Sequence, residues 1–425
     1  MPAPLLALVL SVFSLGTAES VIAGLLPRLS ADLDVSLSQA GLLVSGYALA
    51  IVVGGPLVTL ATSRLPRKPL LVALMSLFVA GNVLAALAPG YGVLMTARVL
   101  SALSHCTLFA LSLITAAEIA GPRKSGSAVA RIIIGVNLAT IVGVPLGLLL
   151  AQQWGWRATF WGVTALSAIS LVACVLLVPG VRTSGEEGAA AELKVLRDRR
   201  VQVALVLTVV GMAGGFAAFT FLTPLLEQVS GFSGPQVTIL LFLFGLGSLA
   251  GGLLGGRLAD RALMGSLTVL LGVLAVALAA FAGVAPQPVA AVGALVVFSV
   301  VFFALNPGLG ARVLNSVSGR APTLAVSMSI ASVQTAIALG AWLGGQVLDL
   351  GYGLRSVFLV AAAVTVAGCS LAWLEWRADH RATPQPGNPA ATAPATDDPR
   401  TPLTSAVPEA SAAASAPALT PDRLG

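Results

Sequence analysis

The chain has 425 residues, of which 57% are hydrophobic and only 9% charged, and its mean hydropathy is +0.96. Soluble domains carry about 25% charged residues, so this composition excludes a protein built for water. The net charge is +6, and its distribution along the chain excludes nucleic acid as the reason for it.

Runs of about 20 apolar residues recur, each long enough to cross a hydrocarbon core roughly 30 Å thick as a helix. They are continuous rather than alternating, which predicts an all-α polytopic membrane protein and not a barrel. Twelve spans are predicted, at about 4–27, 38–60, 69–88, 92–115, 129–151, 159–179, 201–226, 236–256, 264–284, 288–311, 323–346 and 355–376. The first contains "GTAESVIAGLLP" (16–27) and one acid, Glu19, the single charged side chain before Arg28. It has neither a basic leader nor a small-residue cleavage signature, and it reads as a retained span.

With the N-terminus inside, fourteen basic residues fall in inside loops, among them Arg64, Arg182, Lys194, Arg197 and Arg320. Only Arg28, Arg157 and Arg355 fall outside. That asymmetry is the positive-inside pattern; it accounts for the basic charge and predicts cytoplasmic termini at the inner membrane. Residues 180–200, "GVRTSGEEGAAAELKVLRDRR", form the longest internal connection and read as a cytoplasmic linker between an N-terminal bundle (4–179) and a C-terminal bundle (201–376). From 377 to 425 the chain turns to Pro, Ala, Thr and Ser, the composition of a disordered tail.

The two halves repeat. Pro27 and Pro224, Gln39 and Gln236, Arg64 and Arg261, and Gly143 and Gly340 all stand 197 residues apart, while "GWRATF" (155–160) echoes "GLRSVF" (353–358) at 198. Six spans separate equivalent points, so the repeat keeps its orientation and predicts two pseudo-symmetric six-helix bundles around a cavity.

The motifs follow the same frame. "GRLADR" (256–261) closes the eighth span, "RVLSAL" (98–103) puts a membrane arginine in the fourth, and "GVNLATIVGVPLG" (135–147) runs through the fifth. Over roughly residues 4–377 the chain thereby resembles the major facilitator superfamily, in its drug:proton antiporter branch with twelve spans. "GTAE...GLLP" and "GVPLG...GWRATF" look most like chloramphenicol exporters and neighbouring sugar-efflux proteins. The sequence departs from the pattern at Ser63, where the repeat offset places the acid matching Asp260, and at Ser101 and Ala102 where many relatives have Gln and Gly. The resemblance implies a monomeric transporter that exchanges protons for a small molecule by alternating access in the bilayer, with no cofactor. It also implies an inside gate at Gly256, Asp260 and Arg261.

Glu19 lies about eight residues in from Pro27, roughly 12 Å deep, and Arg98 lies at a similar depth. A lone charge there costs at least ~2.5 kcal/mol on insertion scales, and an opposite partner reduces the cost. We expect the two to face one cavity and to interact when Glu19 is ionised. Desolvation opposes ionisation and a guanidinium favours it, a balance suited to proton coupling; a fixed ion pair clamping two helices is the structural alternative. His105 follows Arg98 by two turns on the same face, and either shares proton handling or packs as a neutral hydrogen-bonded group. Asn137, Asn306 and Gln334 are candidate substrate contacts or interhelical glue, and Tyr47 and Phe109 candidate aromatic surface. Gly135, Gly143 and Gly147 allow close helix approach and Pro145 permits a bend, a device for gating.

Cys106, Cys174 and Cys369 have no metal-ligand spacing and no motif partner, and read as packing residues. No phosphate-binding loop is present. With Glu19 and His105 the only acid and histidine well inside spans, membrane-embedded enzymology has no cluster to work with. The leading expectation is proton-coupled efflux of a small amphipathic, chloramphenicol-like drug; the alternative is export or uptake of a sugar or other small metabolite on the same fold.

Overall fold

Backbone polar groups have no water to bond within a bilayer, so an apolar chain satisfies them internally as helices. The computed structural model describes residues 3–62, 65–121, 123–179, 198–317 and 322–382, without the side chains of 322–326 and 379–382. Ser63, Arg64, Arg182, Lys194, Arg197 and Arg320 lie outside the described residues, as do most of the linker and the tail. The helices are α1 (Ala3–Asp32), α2 (Leu37–Thr62), α3 (Arg67–Ala86), α4 (Tyr91–Ala120), α5 (Ser125–Leu138), α6 (Val144–Trp154), α7 (Trp156–Leu177), α8 (Arg199–Thr220), α9 (Leu222–Gln228), α10 (Gly234–Val284), α11 (Pro288–Ser316), α12 (Pro322–Asp349) and α13 (Leu354–Ala382).

Among the described residues these make eleven continuous apolar stretches long enough to span. The twelfth span is inside α10. Its 51 residues would reach about 77 Å at about 1.5 Å per residue, more than twice a hydrocarbon core. The backbone leaves helical geometry at Ala262 (φ −156°, ψ 84°), and Ser266 Oγ reaches back to donate to the Leu258 oxygen at 2.8 Å. The eighth and ninth spans are thus joined by a sharp kink rather than by a loop.

Two further spans are broken by proline. The fifth comprises α5 and α6 with a π turn, Ala139–Gly143, between them. The Val144 N–H bonds the Ala139 oxygen, five residues back, which widens the helix just before Pro145, whose ring would crowd the preceding turn. The seventh span breaks at Phe221 (φ −100°, ψ 14°), three residues ahead of Pro224. The repeat is not strict here, for α1 runs unbroken through Pro27.

The first six spans pack chiefly on one another, α1 against α5 and α7, and α3 against α4 and α7. The second set packs likewise, α8 against α12 and α10 against α11. Across the halves α2 lies on α12, and α10 lies on α6 and the π turn. These cross-half contacts gather toward the end of the bundle where α1 finishes and α2 begins. There Ser38 Oγ donates to Asp349 Oδ2 at 2.7 Å, and Gln152 Nε2 donates to the Gly234 oxygen at 2.7 Å and to Thr238 Oγ1 at 2.9 Å. Arg28 and Glu227 stand 3.9 Å apart beside them. Phe221, fully buried, fills the gap between Gly41 of α2 and Gly344 of α12. At the opposite end the ion pairs stay within a half, Arg67 with Glu118 and Arg312 with Glu375. The bundle is sealed at one end.

Candidate functional site

Below that seal, between the halves, lies a cavity of about 310 Å³, near the lower end of the ~300–1,000 Å³ found for small-molecule sites. One wall is α1, through Val12, Leu15, Gly16, Glu19, Ser20 and Ala23, continued by Val44 of α2, His105, Cys106 and Phe109 of α4, and Val136 and Thr140. The other is the C-terminal half: Phe216, Phe219 and Thr220 of α8, Phe302 and Phe303 of α11, and Ser329, Ile330, Val333, Gln334 and Ile337 of α12. Five phenylalanines and a single carboxylate face the space.

Glu19 touches both halves. Its Oε1 accepts a hydrogen bond from Gln334 Nε2 at 2.7 Å, and its Oε2 stands 3.8 Å from His105 Nε2. His105 Nδ1 and the Tyr47 hydroxyl share a hydrogen bond of 2.9 Å, with the rings edge-on at 85°. Behind Tyr47 sits Arg98, its guanidinium carbon 3.8 Å from the ring centroid and its NH1 donating to the Ala18 oxygen at 2.6 Å. Such a cation–π contact is worth about 2 kcal/mol when desolvated.

Arg98 therefore departs from expectation. It does not line the cavity, and it is 2% exposed. The basic group within 4.0 Å of Glu19 is His105. The positive charge reaches Glu19 indirectly, across the Tyr47 ring and through the peptide oxygen one residue before the acid. The guanidinium is instead engaged by the Tyr47 ring and by the Ala18 oxygen of α1. Tyr47 itself is 1% exposed and positions His105 rather than offering surface to a ligand. Phe109, His105 and Gln334 line the cavity, whereas Asn137 is half-buried off it and Asn306 is exposed away from it.

The family model described as Major Facilitator Superfamily matches residues 8–323. The chain belongs to the Major Facilitator Superfamily. This facilitator is 38% identical over 368 residues to the inner membrane transport protein YdhP of Escherichia coli K12, covering 87% of this chain and 94% of that one. It is 35% identical over 376 residues to a chloramphenicol resistance protein of Streptomyces lividans, covering 86% and 96%. The fold matches the crystal structure of a D-xylose–proton symporter with a TM-score of 0.72 at 15% identity, over 87% of this chain and 97% of the other. Its activity is accordingly transport of a small molecule through the membrane, not an enzymatic reaction.

The facilitator's glycine motif has a definite job in the structure. A Cβ on Gly135 would stand 2.9 Å from the Val9 oxygen, one on Gly147 would stand 2.5 Å from Val21 Cγ2, and Gly143 would collide with Thr17. All three seat the fifth span on α1, within the N-terminal half. Gly340 does the same between α12 and α8. Between the halves, Gly345 of α12 meets Ser38 of α2, and Gly245 of α10 lets backbone meet backbone, its Cβ standing 2.5 Å from Ile141 Cα in the π turn. No motif marks Gly245 in the sequence. Gly256 has open space around it, and Asp260 and Arg261 are exposed with no ion pair among the described residues.

Proposed function

We propose that this facilitator exports a small, mostly apolar compound from the cytoplasm in exchange for protons, with Glu19 carrying the proton. The observation that supports it is one carboxylate in a phenylalanine-rich cavity, hydrogen-bonded to Gln334 of the opposite half and 3.8 Å from His105 of its own. A second support is the likeness to a chloramphenicol resistance protein over nearly all of both chains; phenicols are the first substrate to try. The cavity offers few hydrogen-bonding groups, which disfavours a sugar.

From the charge asymmetry we read both termini as cytoplasmic, which makes the sealed end the outer one. We take the segments 4–179 and 201–376 as the two bodies that rock, in a monomer, about the linker 180–200. Glu19 gains a proton when the site opens outward and yields it inward, where the compound enters. The Gly135–Gly147 contacts keep α1 rigidly on the fifth span, so Glu19 travels with its bundle. One proton exchanged for a neutral compound moves one charge, worth about 2.3 kcal/mol at 100 mV, or about fifty-fold accumulation.

The test is an everted-vesicle assay. Chloramphenicol added to energised vesicles should collapse part of the pH gradient, and a sugar should not. Glu19→Gln should abolish the response while leaving the protein folded and inserted. Full proton-linked export by Glu19→Gln would end the proposal.

A further inference from the structure

The contact that joins Glu19 to the C-terminal half is chemically lopsided. Gln334 Nε2 donates to Glu19 Oε1 at 2.7 Å, yet the other end of the same amide, Oε1, is buried with no hydrogen-bond partner. A carboxylate only accepts, a carboxylic acid donates once and still accepts, and a primary amide does both. Ionised Glu19 takes one bond from Gln334 and leaves the amide oxygen with nothing to accept. Protonated Glu19 can meet the amide edge to edge, its O–H donating to Gln334 Oε1 while its carbonyl oxygen accepts from Nε2.

We propose that Gln334 is the positioning residue through which the C-terminal half registers the proton on Glu19, holding the carboxylate by one hydrogen bond and the acid by two. The proposal rests on the proton-carrying role of Glu19 given above and supplies its receiver. A hydronium ion gives its proton to a carboxylate oxygen and leaves as water, and the return step is the reverse; no other covalent bond changes. Because α1 and α12 belong to different halves, the second bond is a tie across the moving interface, available in the sealed form described here. Protonation thus favours the sealed form and deprotonation loosens it. With the seal outside, the proton keeps the outer side shut until it has left on the inner side.

The other groups facing Glu19 do not compete for this role. From α4 come His105, with Nε2 3.8 Å away, the Cys106 thiol on the same cavity wall, and Arg98, turned to Ala18 and Tyr47. From α2 comes the Tyr47 hydroxyl, committed to His105. Among the described residues, α5, α8, α11 and α12 bring no ionisable side chain to the cavity, so Gln334 is the one hydrogen-bonding contact between Glu19 and the opposite half.

Infrared difference spectra of the full-length protein in liposomes, acid minus alkaline, read the carboxyl C=O band. Glu19→Gln assigns it: the Glu19 band should vanish. In Gln334→Met the band should persist but move to higher frequency, since the acid has lost its acceptor. The acid-induced gain of the sealed form, measured by spin-label distances across the sealed end, should fall about five-fold, the effect of one hydrogen bond. Gln334→Asn, one methylene short, should behave the same way and serves if the methionine variant does not fold. A carboxyl band indifferent to Glu19→Gln would overturn the proton-carrying role itself. A Glu19 band present in both variants at its original frequency, with closure unchanged, would overturn the role of Gln334 alone.

Discussion

Gly245→Ala is the sharpest probe of the seal. The added Cβ would stand 2.5 Å from Ile141 Cα and 3.0 Å from both the Ile141 nitrogen and the Thr140 oxygen. Carbon atoms rest about 3.5–4.0 Å apart, so α10 must retreat by about 1 Å from backbone atoms that cannot rotate away. Overpacking of this kind costs about 1–3 kcal/mol. At about 1.4 kcal/mol per factor of ten, the sealed form should lose about 5- to 140-fold against the open one. Gly252 lies on the same helix with nothing within 4 Å of its would-be Cβ. Gly252→Ala therefore controls for the helix propensity that any Gly→Ala change gains. Spin labels at the exposed positions Trp154 and Val289, in a chain with Cys106, Cys174 and Cys369 replaced, report the distance across the sealed end. Gly245→Ala should shift the distribution toward the longer distance and Gly252→Ala should not. Identical distributions for the two variants would refute the claim that this glycine lets the halves meet.

Two further outcomes follow from contacts within the N-terminal half. Gly143→Ala should lower the melting temperature of the purified protein, because its methyl meets the hydroxyl and γ-methyl of Thr17; a cost of about 1–3 kcal/mol should be partly recovered in Gly143→Ala/Thr17→Ala, as a thermal-shift series would show. Arg98→Lys should leave a folded protein with export reduced at least ten-fold in the vesicle assay, since an ammonium lacks the planar group that lies over Tyr47 while bonding Ala18.

The span pattern is legible because bilayer thickness fixes helix length, and uninterrupted apolar runs have no other use. Glu19 is legible for the same reason, being an acid where an acid is costly. What escapes the sequence is direction. Arg98 and Glu19 read as lying at matching depths, but depth does not say that the guanidinium turns to the Tyr47 ring and the Ala18 oxygen. Gln334 stands out as an amide in an apolar span, yet its bond to an acid 315 positions away depends on how two bundles dock. The same holds for Gly245 and Phe221, which look like ordinary small and aromatic span residues until the facing half is in place. The break at Ala262 is legible in the charged GRLADR stretch that closes the eighth span, but that a kink bridged by Ser266 and Leu258 replaces a loop there is not.

The wide turn at Ala139–Gly143 settles an orientation puzzle in the glycine motif. On a regular helix Gly135 and Gly143, eight residues apart, would point about 80° away from each other at about 100° per residue. With one residue absorbed in the bulge they point as a heptad pair would, about 20° apart, and both meet α1. The same turn serves a second neighbour: Ala139 and Gly143 sit against Gly16 and Thr17 of α1, while the Ile141 backbone meets Gly245 of α10. One widened turn thus ties α1 to its own bundle and carries the backbone contact with the other.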